Sequence, residues 1–124
     1  MLSAATSALA AFSEKQAVTA HNIANINTDG YKAKTQTLEE LPEKQGVRTQ
    51  DIQEDLSPGP LKQRISSQES EHNYQPRMES VQGSNTRLVN EITSLMQNEQ
   101  GFAANASVVR VSQDMAGTIL NLVA

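Results

Sequence analysis

The side chains that could do chemistry in this chain are few and scattered. His21 and His72 are its two histidines. Either type can ligate a metal or take a proton near neutral pH, but no further ligand stands at metal-binding spacing from them, so both read as surface or packing residues. Glu39-Glu40 and Glu54-Asp55 are adjacent carboxylates, the type that pairs for general acid–base work. Both fall in polar stretches with no apolar pocket to push two pKa values apart, and they read as solvated surface. No Ser, His and Asp take an order with a geometric role, and Gly59 and Gly83 stand too isolated to cradle phosphate. Asn105-Ala106-Ser107 spells a glycosylation sequon, but inside a stretch that reads as helix. The expectation is a chain without catalytic residues, cofactor or metal, and not an enzyme.

What remains is a question of elements and partners. Only 37% of the 124 residues are hydrophobic and 3% aromatic, too few to fill a compact core. Small chains with sparse cores are stabilised by disulfides, metals or partner chains. Cysteine is absent, which leaves partner chains. A net charge of −4 lacks the basic stripe of a nucleic-acid binder. No apolar run approaches the roughly 18 residues of a membrane span. The Ala-rich start, Met1 to Phe12, has no basic residue ahead of its apolar part, the first cation being Lys15, so it is not expected to be a cleaved signal peptide.

Charge and proline divide the chain into three. Sixteen of the charged residues and all four prolines (Pro42, Pro58, Pro60, Pro76) lie between Lys32 and Glu79. The flanking segments are proline-free and charge-poor, where helices can run. The expected units are an N-terminal helix with its exit turn over 1–31, an extended polar linker over 32–83, and a C-terminal helix over 84–124. From the end of the linker onward, positions 81, 88, 95, 102, 109, 116 and 123 are Val, Leu, Leu, Phe, Val, Ala and Val, with Ile92, Ala106 and Leu120 beside them. One apolar residue per heptad predicts helix pairing with left-handed supercoiling. Ser84 or Asn85 is the expected N-cap.

The N-terminal helix is expected from about Ser3 to Ile23 or Asn25, with Leu2, Ala5, Leu9, Phe12, Ile23 and Ile26 on its apolar face. Asn22, Asn25 and Asn27 compete with helix through side-chain bonds to the backbone, and Asp29-Gly30 is a turn signal, with Gly30 at positive φ. The middle reads as extended loop, with Val47 to Ile52 a short strand and Ser57-Pro58-Gly59-Pro60 a turn. Residues 62–80 carry too few apolar groups to fold alone. The fold class expected is mainly α: two long terminal helices pairing as an antiparallel coiled coil, with an extended polar loop or short β segments between.

The two helices differ in length, so about a third of the longer one is left without a partner. Its end is also apolar on a second face, through Val108, Val111, Met115, Ile119 and Leu122. A helix packed on one side carries charge on the other; this one suits burial among several helices, hence a multi-chain assembly.

Asn22-Ile23-Ala24-Asn25-Ile26-Asn27-Thr28-Asp29-Gly30-Tyr31-Lys32, after an Ala-rich helix, closely resembles the signature of bacterial flagellar rod and hook proteins, N-x-A-N-x-x-T-x-G-aromatic-basic. Ser84-Asn85, Val89, Glu91, Phe102 to Ala106 and Met115 resemble that family's C-terminal helix. Gly46-Val47, Ile52, Asp55 and Ser57 to Leu61 are similar to the stretch after the signature in distal-rod and hook members. Glu99-Gln100 stands where the family usually has Gln-Arg, and no inserted β domain is expected. The resemblance implies a structural subunit of the basal-body rod, exported by the flagellar type III apparatus without signal cleavage. It would polymerise with copies of itself and with neighbouring rod and hook subunits in the periplasm-spanning axial tube. The signature-turn residues are Asn22, Ala24, Asn25, Thr28, Gly30, Tyr31 and Lys32. The helix-packing residues are Leu9, Phe12, Ile23, Leu88, Ile92, Leu95, Phe102, Val109, Met115 and Leu120. The alternative is a soluble helical-hairpin adaptor or secretion chaperone acting as a dimer.

Overall fold

The computed structural model describes residues 2–70 and 73–123; Glu71 and His72, and so the surface reading of His72, lie outside them. The described elements are α1 (Leu2–Ala24), β1 (Lys34–Glu40), a short 3-10 turn (Pro42–Lys44), β2 (Val47–Glu54), β3 (Leu61–Ser70), β4 (Asn73–Gln82) and α2 (Leu88–Val123). The strands form two separate antiparallel hairpins, β1 with β2 and β3 with β4.

α1 ends where its asparagines begin to bond the backbone. The Asn25 side chain donates to the His21 carbonyl at 2.9 Å and accepts from the Thr28 hydroxyl at 3.1 Å. Successive turns carry the chain on to Gly30, whose φ of 71° lies where only glycine is unstrained. α2 begins later than expected. Asn85 does not cap it, because its side chain is engaged with other segments, and Ser84 bonds locally, accepting from the Thr86 N–H at 3.1 Å. The first bond of the helical run is the Glu91 N–H to the Arg87 carbonyl at 3.1 Å. The 36 residues of α2 span about 54 Å at 1.5 Å per residue.

Two expectations are corrected. The middle of the chain is not an extended loop with one short strand, but two hairpins of four strands. β1 and β2 lie on α1, where the inward residues are polar. Gln36 donates to Glu14 at 3.3 Å and to the Thr49 hydroxyl, Thr49 donates to Glu14, and the Val47 N–H donates to Ser7 Oγ at 3.2 Å. The expected apolar–polar alternation of a half-buried strand is therefore absent. A bulge between Thr37 and Leu38 shifts the register as well. In the second hairpin Pro76 sits opposite Ser67; each strand of a two-stranded ribbon has a free edge, where proline is tolerated.

The second correction concerns the coiled coil. α1 lies against α2, with Phe12 over Gly101 and Asn22 bonded to Glu91, but the contact is not the heptad seam. Leu88, Ile92 and Phe102 are exposed, and so are Met115 and Leu120. The buried residues of the two helices are Ala5, Ala11, Thr19, Asn22 and Asn98. Small and polar side chains let the backbones approach closely: a Cβ on Gly101 would stand 2.6 Å from the Phe12 ring. The knobs and holes of a coiled coil need larger apolar residues at that seam.

Candidate assembly site

Two features carry the candidate function: the junction where α1 leaves the helical body, and the uncovered apolar surface of α2. At the junction Asn22, 2% exposed, uses its whole side-chain amide. Its Nδ2 donates to the Lys34 carbonyl at 2.8 Å and to Glu91 Oε1 at 3.1 Å. Its Oδ1 accepts from the Lys34 N–H at 2.9 Å and the Tyr31 hydroxyl at 3.0 Å. Four bonds are all that a carboxamide offers, and they join α1, the start of β1 and the start of α2. Burial pushes the Tyr31 phenol above its ordinary pKa; Lys34 opposes this, and Glu91 and Glu54 add to it.

Asn85 is the second tie. Its Oδ1 accepts from the Ala33 N–H at 2.7 Å, and its Nδ2 donates to the carbonyls of Asp55 at 2.7 Å and Ser57 at 3.0 Å. Lys32 Nζ donates to the same Ser57 carbonyl at 2.7 Å. Asp55 accepts from the Ser57 N–H, and this bond with that of the Ser57 hydroxyl holds its carboxyl below the usual pKa. The Gly30 N–H donates to the Gln82 carbonyl at 2.8 Å, and the Gly83 N–H to the Pro60 carbonyl at 2.8 Å. Gly59 is packed on Gly83, whose carbonyl carbon would stand 2.9 Å from a Cβ there. That contact explains the glycine in Ser57-Pro58-Gly59-Pro60.

Of the signature residues, Asn22, Asn25, Thr28, Gly30, Tyr31 and Lys32 meet at this junction, while Ala24 ends α1 with an exposed side chain. Asn85, Glu91, Lys34 and Ser57 belong to the junction too. Asn85 and Glu91 stand in the C-terminal resemblance, and Ser57 in the stretch after the signature; Lys34 bonds Asn22 through backbone groups, which no side-chain pattern marks. Among the packing residues, Leu9, Phe12, Ile23, Leu95 and Val109 are half-buried. Leu88, Ile92, Phe102, Met115 and Leu120 lie open with Val108, Val111, Ile119, Leu122 and Val123, and Leu122 reaches 87% exposure.

The carboxylates are occupied structurally: Glu39 pairs with Arg48, and Glu54 with Lys34 at 3.5 Å. Among the described residues no group of three or more His, Asp and Glu could hold a metal, and no helix is long and apolar enough to cross a membrane. Asn105 donates to the Gly101 carbonyl within α2.

Residues 2–32 match the model of the flagella basal body rod protein family. Residues 79–122 match that of the flagellar basal body rod FlgEFG protein C-terminal region. No individual curated protein matches the chain. The two family matches fall on the helical ends, each taking in one side of the Asn22–Glu91 tie, and together they cover more than half of the sequence. The chain belongs to the flagellar basal-body rod and hook protein family, whose members are structural components of the flagellum rather than enzymes.

Proposed function

We propose that the chain polymerises through its terminal helices, with copies of itself and with neighbouring rod subunits, to build the axial tube of the rod. In this reading it reaches that place through the flagellar export apparatus with its N-terminus retained. The observation that carries the reading is the far half of α2, where large apolar side chains stand exposed on more than one face. Contiguous apolar surface of this kind marks interaction sites. Each such side chain, once buried, contributes roughly 1.5–3 kcal/mol, repeated at every subunit. The signature junction then has a positioning role: its bonds fix the angle at which the hairpins leave the helices.

Phe102 tests the reading, because it is exposed on α2 beside the α1 contact and plays no part in the junction. Phe102→Asp should leave expression and helical circular dichroism unchanged, while abolishing recovery of the chain in isolated basal bodies and abolishing motility. Normal incorporation and swimming in that variant would refute the proposal.

A further inference from the structure

The face that α2 turns to α1 changes character along its length. Phe12 over Gly101 and Asn22 on Glu91 set an antiparallel register in which Leu2, at the start of α1, comes level with Val111. Along that covered stretch Glu91, Asn98, Asn105 and Ser112 recur at every seventh residue. Asn98 is 1% exposed and the other three are half-buried. The next member is Ile119, which lies beyond α1 and is exposed. The column is therefore polar where a helix covers it and apolar where none does. Three residues ahead of each member runs a second column, Leu88, Leu95, Phe102, Val109 and Ala116. Residues three apart share a helix face, and Leu88 and Phe102 stay exposed beside α1.

Two helices that supercoil around each other bury two apolar columns apiece. α2 offers one apolar column and one polar. Burying a polar group without a partner is unfavourable, and Asn98 Nδ2 has none among the described residues. α1 suits the polar column because its own buried residues are small or polar, Ala5, Ala11, Thr19 and Asn22, and because Asn22 bonds Glu91. The α2 of a second copy has no such match. Paired in parallel, it sets Glu91 against Glu91. Paired antiparallel, it sets Asn98 and Asn105 against the apolar column. A second α2 is nevertheless the competitor at hand, since every copy carries one and the column from Leu88 to Ala116 is half of the seam that would accept it.

We infer that Asn98, supported by Asn105, reserves this face of α2 for α1 and denies it to the α2 of a second copy. Polar groups that only the wrong partner leaves desolvated and unmatched are a means of discrimination between partners. An α2–α2 pair is isologous and closed, so each one formed withdraws two subunits from an open array. That consequence rests on the proposed polymerisation; the selectivity is a property of the free chain and is tested there.

The purified chain is compared with Asn98→Leu, with Asn98→Leu plus Asn105→Leu, and with Asn98→Ser, by sedimentation velocity and hydrogen exchange. The two leucine variants should form a discrete dimer, with a dissociation constant below the parent's by about tenfold or more. In that dimer the α1 amides from Ala5 to Ala11 should lose protection, because α1 has been displaced. Asn98→Ser, still polar at that position, should associate no more than the parent. Asn105→Leu alone guards against misfolding at the buried site: Asn105 is half-buried, its amide bonds the Gly101 carbonyl of its own helix, and its replacement should shift association in the same direction. Folded leucine variants as monomeric as the parent, a dimer in which α1 keeps its protection, or equal association of the serine and leucine variants overturns the inference. Failure of the parent chain to enter basal bodies would overturn the proposed function and leave these outcomes unchanged.

Discussion

Replacing Asn22 with alanine removes both donors and both acceptors at the centre of the junction. Two of the four partners, the Tyr31 hydroxyl and the Glu91 carboxylate, can turn toward water. The Lys34 N–H and carbonyl belong to the backbone and stay where they are. A buried polar group left unpaired costs about 1–3 kcal/mol, so the Lys34 pair alone sets a loss of about 2–6 kcal/mol. A water entering the vacated space would recover part of it, bringing the expected loss to about 3 kcal/mol. At 1.4 kcal/mol per tenfold this is roughly a hundredfold in the local opening equilibrium. Native-state hydrogen exchange reads that equilibrium at the Lys34 amide, which should exchange about a hundredfold faster in Asn22→Ala. Asn25→Ala is the control, since its bonds are local to the turn and their loss should cost about 1 kcal/mol or less. Lys34 exchange that is unchanged, or that rises equally in both variants, would refute the claim that Asn22 carries the junction.

Further outcomes follow from the glycines, the phenol and the second buried asparagine. Gly59→Ala must push the backbone of Gly83 and Ser84 aside and should cost about 1–3 kcal/mol. Gly30→Asn meets no atom within 4 Å and keeps a residue tolerant of positive φ, so its urea midpoint should lie above that of Gly59→Ala; the reverse order would mean the contact is not tight. Tyr31 has its phenol pKa raised in the folded chain from 10.0. The stability it contributes is therefore fully present below pH 10 and is lost as pH rises through the folded value. Denaturation midpoints on either side of pH 10 should fall in the parent chain and flatten in Tyr31→Phe. Asn98 is 1% exposed, and its Nδ2 has no partner among the described residues. Asn98→Leu should therefore raise the thermal midpoint by a few degrees, from roughly 1 kcal/mol of relieved desolvation; a lower midpoint would show that the amide is satisfied.

Both helices were legible because their signals are long-range: proline-free, charge-poor stretches bounded by asparagines and glycines. The end of α1 at Ala24 and the positive φ of Gly30 follow from local chemistry that a sequence displays. Of the four strands only β2 was legible, as the short strand expected over Val47 to Ile52; the hairpins were not. A strand is recognised by alternation, and β1 and β2 turn Gln36 and Thr49 toward a carboxylate of α1, while β3 and β4 have no core behind them. The start of α2 was misplaced because Asn85, a good cap by type, is drawn to Ala33, Asp55 and Ser57. The heptad of α2 is real as spacing, yet the seam against α1 is built on Gly101 and Asn98, residues that stand outside the repeat. The signature turn was visible as a motif; its partner Lys34 was not, because it bonds Asn22 through backbone groups.

The use of asparagines rather than apolar side chains at the junction has a physical reason. Apolar contact is non-directional and would tolerate a slide of one helix along the other, with one methyl group replacing another. The four bonds of Asn22 cannot slide: displacing α1 by a single residue against Lys34 and Glu91 breaks all of them together and leaves buried polar groups unpaired. The angle between helices and hairpins is thereby fixed while almost no apolar surface is consumed, Ala5 and Ala11 being the buried hydrophobic residues among those described. A chain fixed in this way leaves Met115, Ile119, Leu120 and Leu122 exposed, available to the neighbours that the proposed polymerisation supplies. A junction held instead by leucines would draw on the same class of side chain that such an assembly would use.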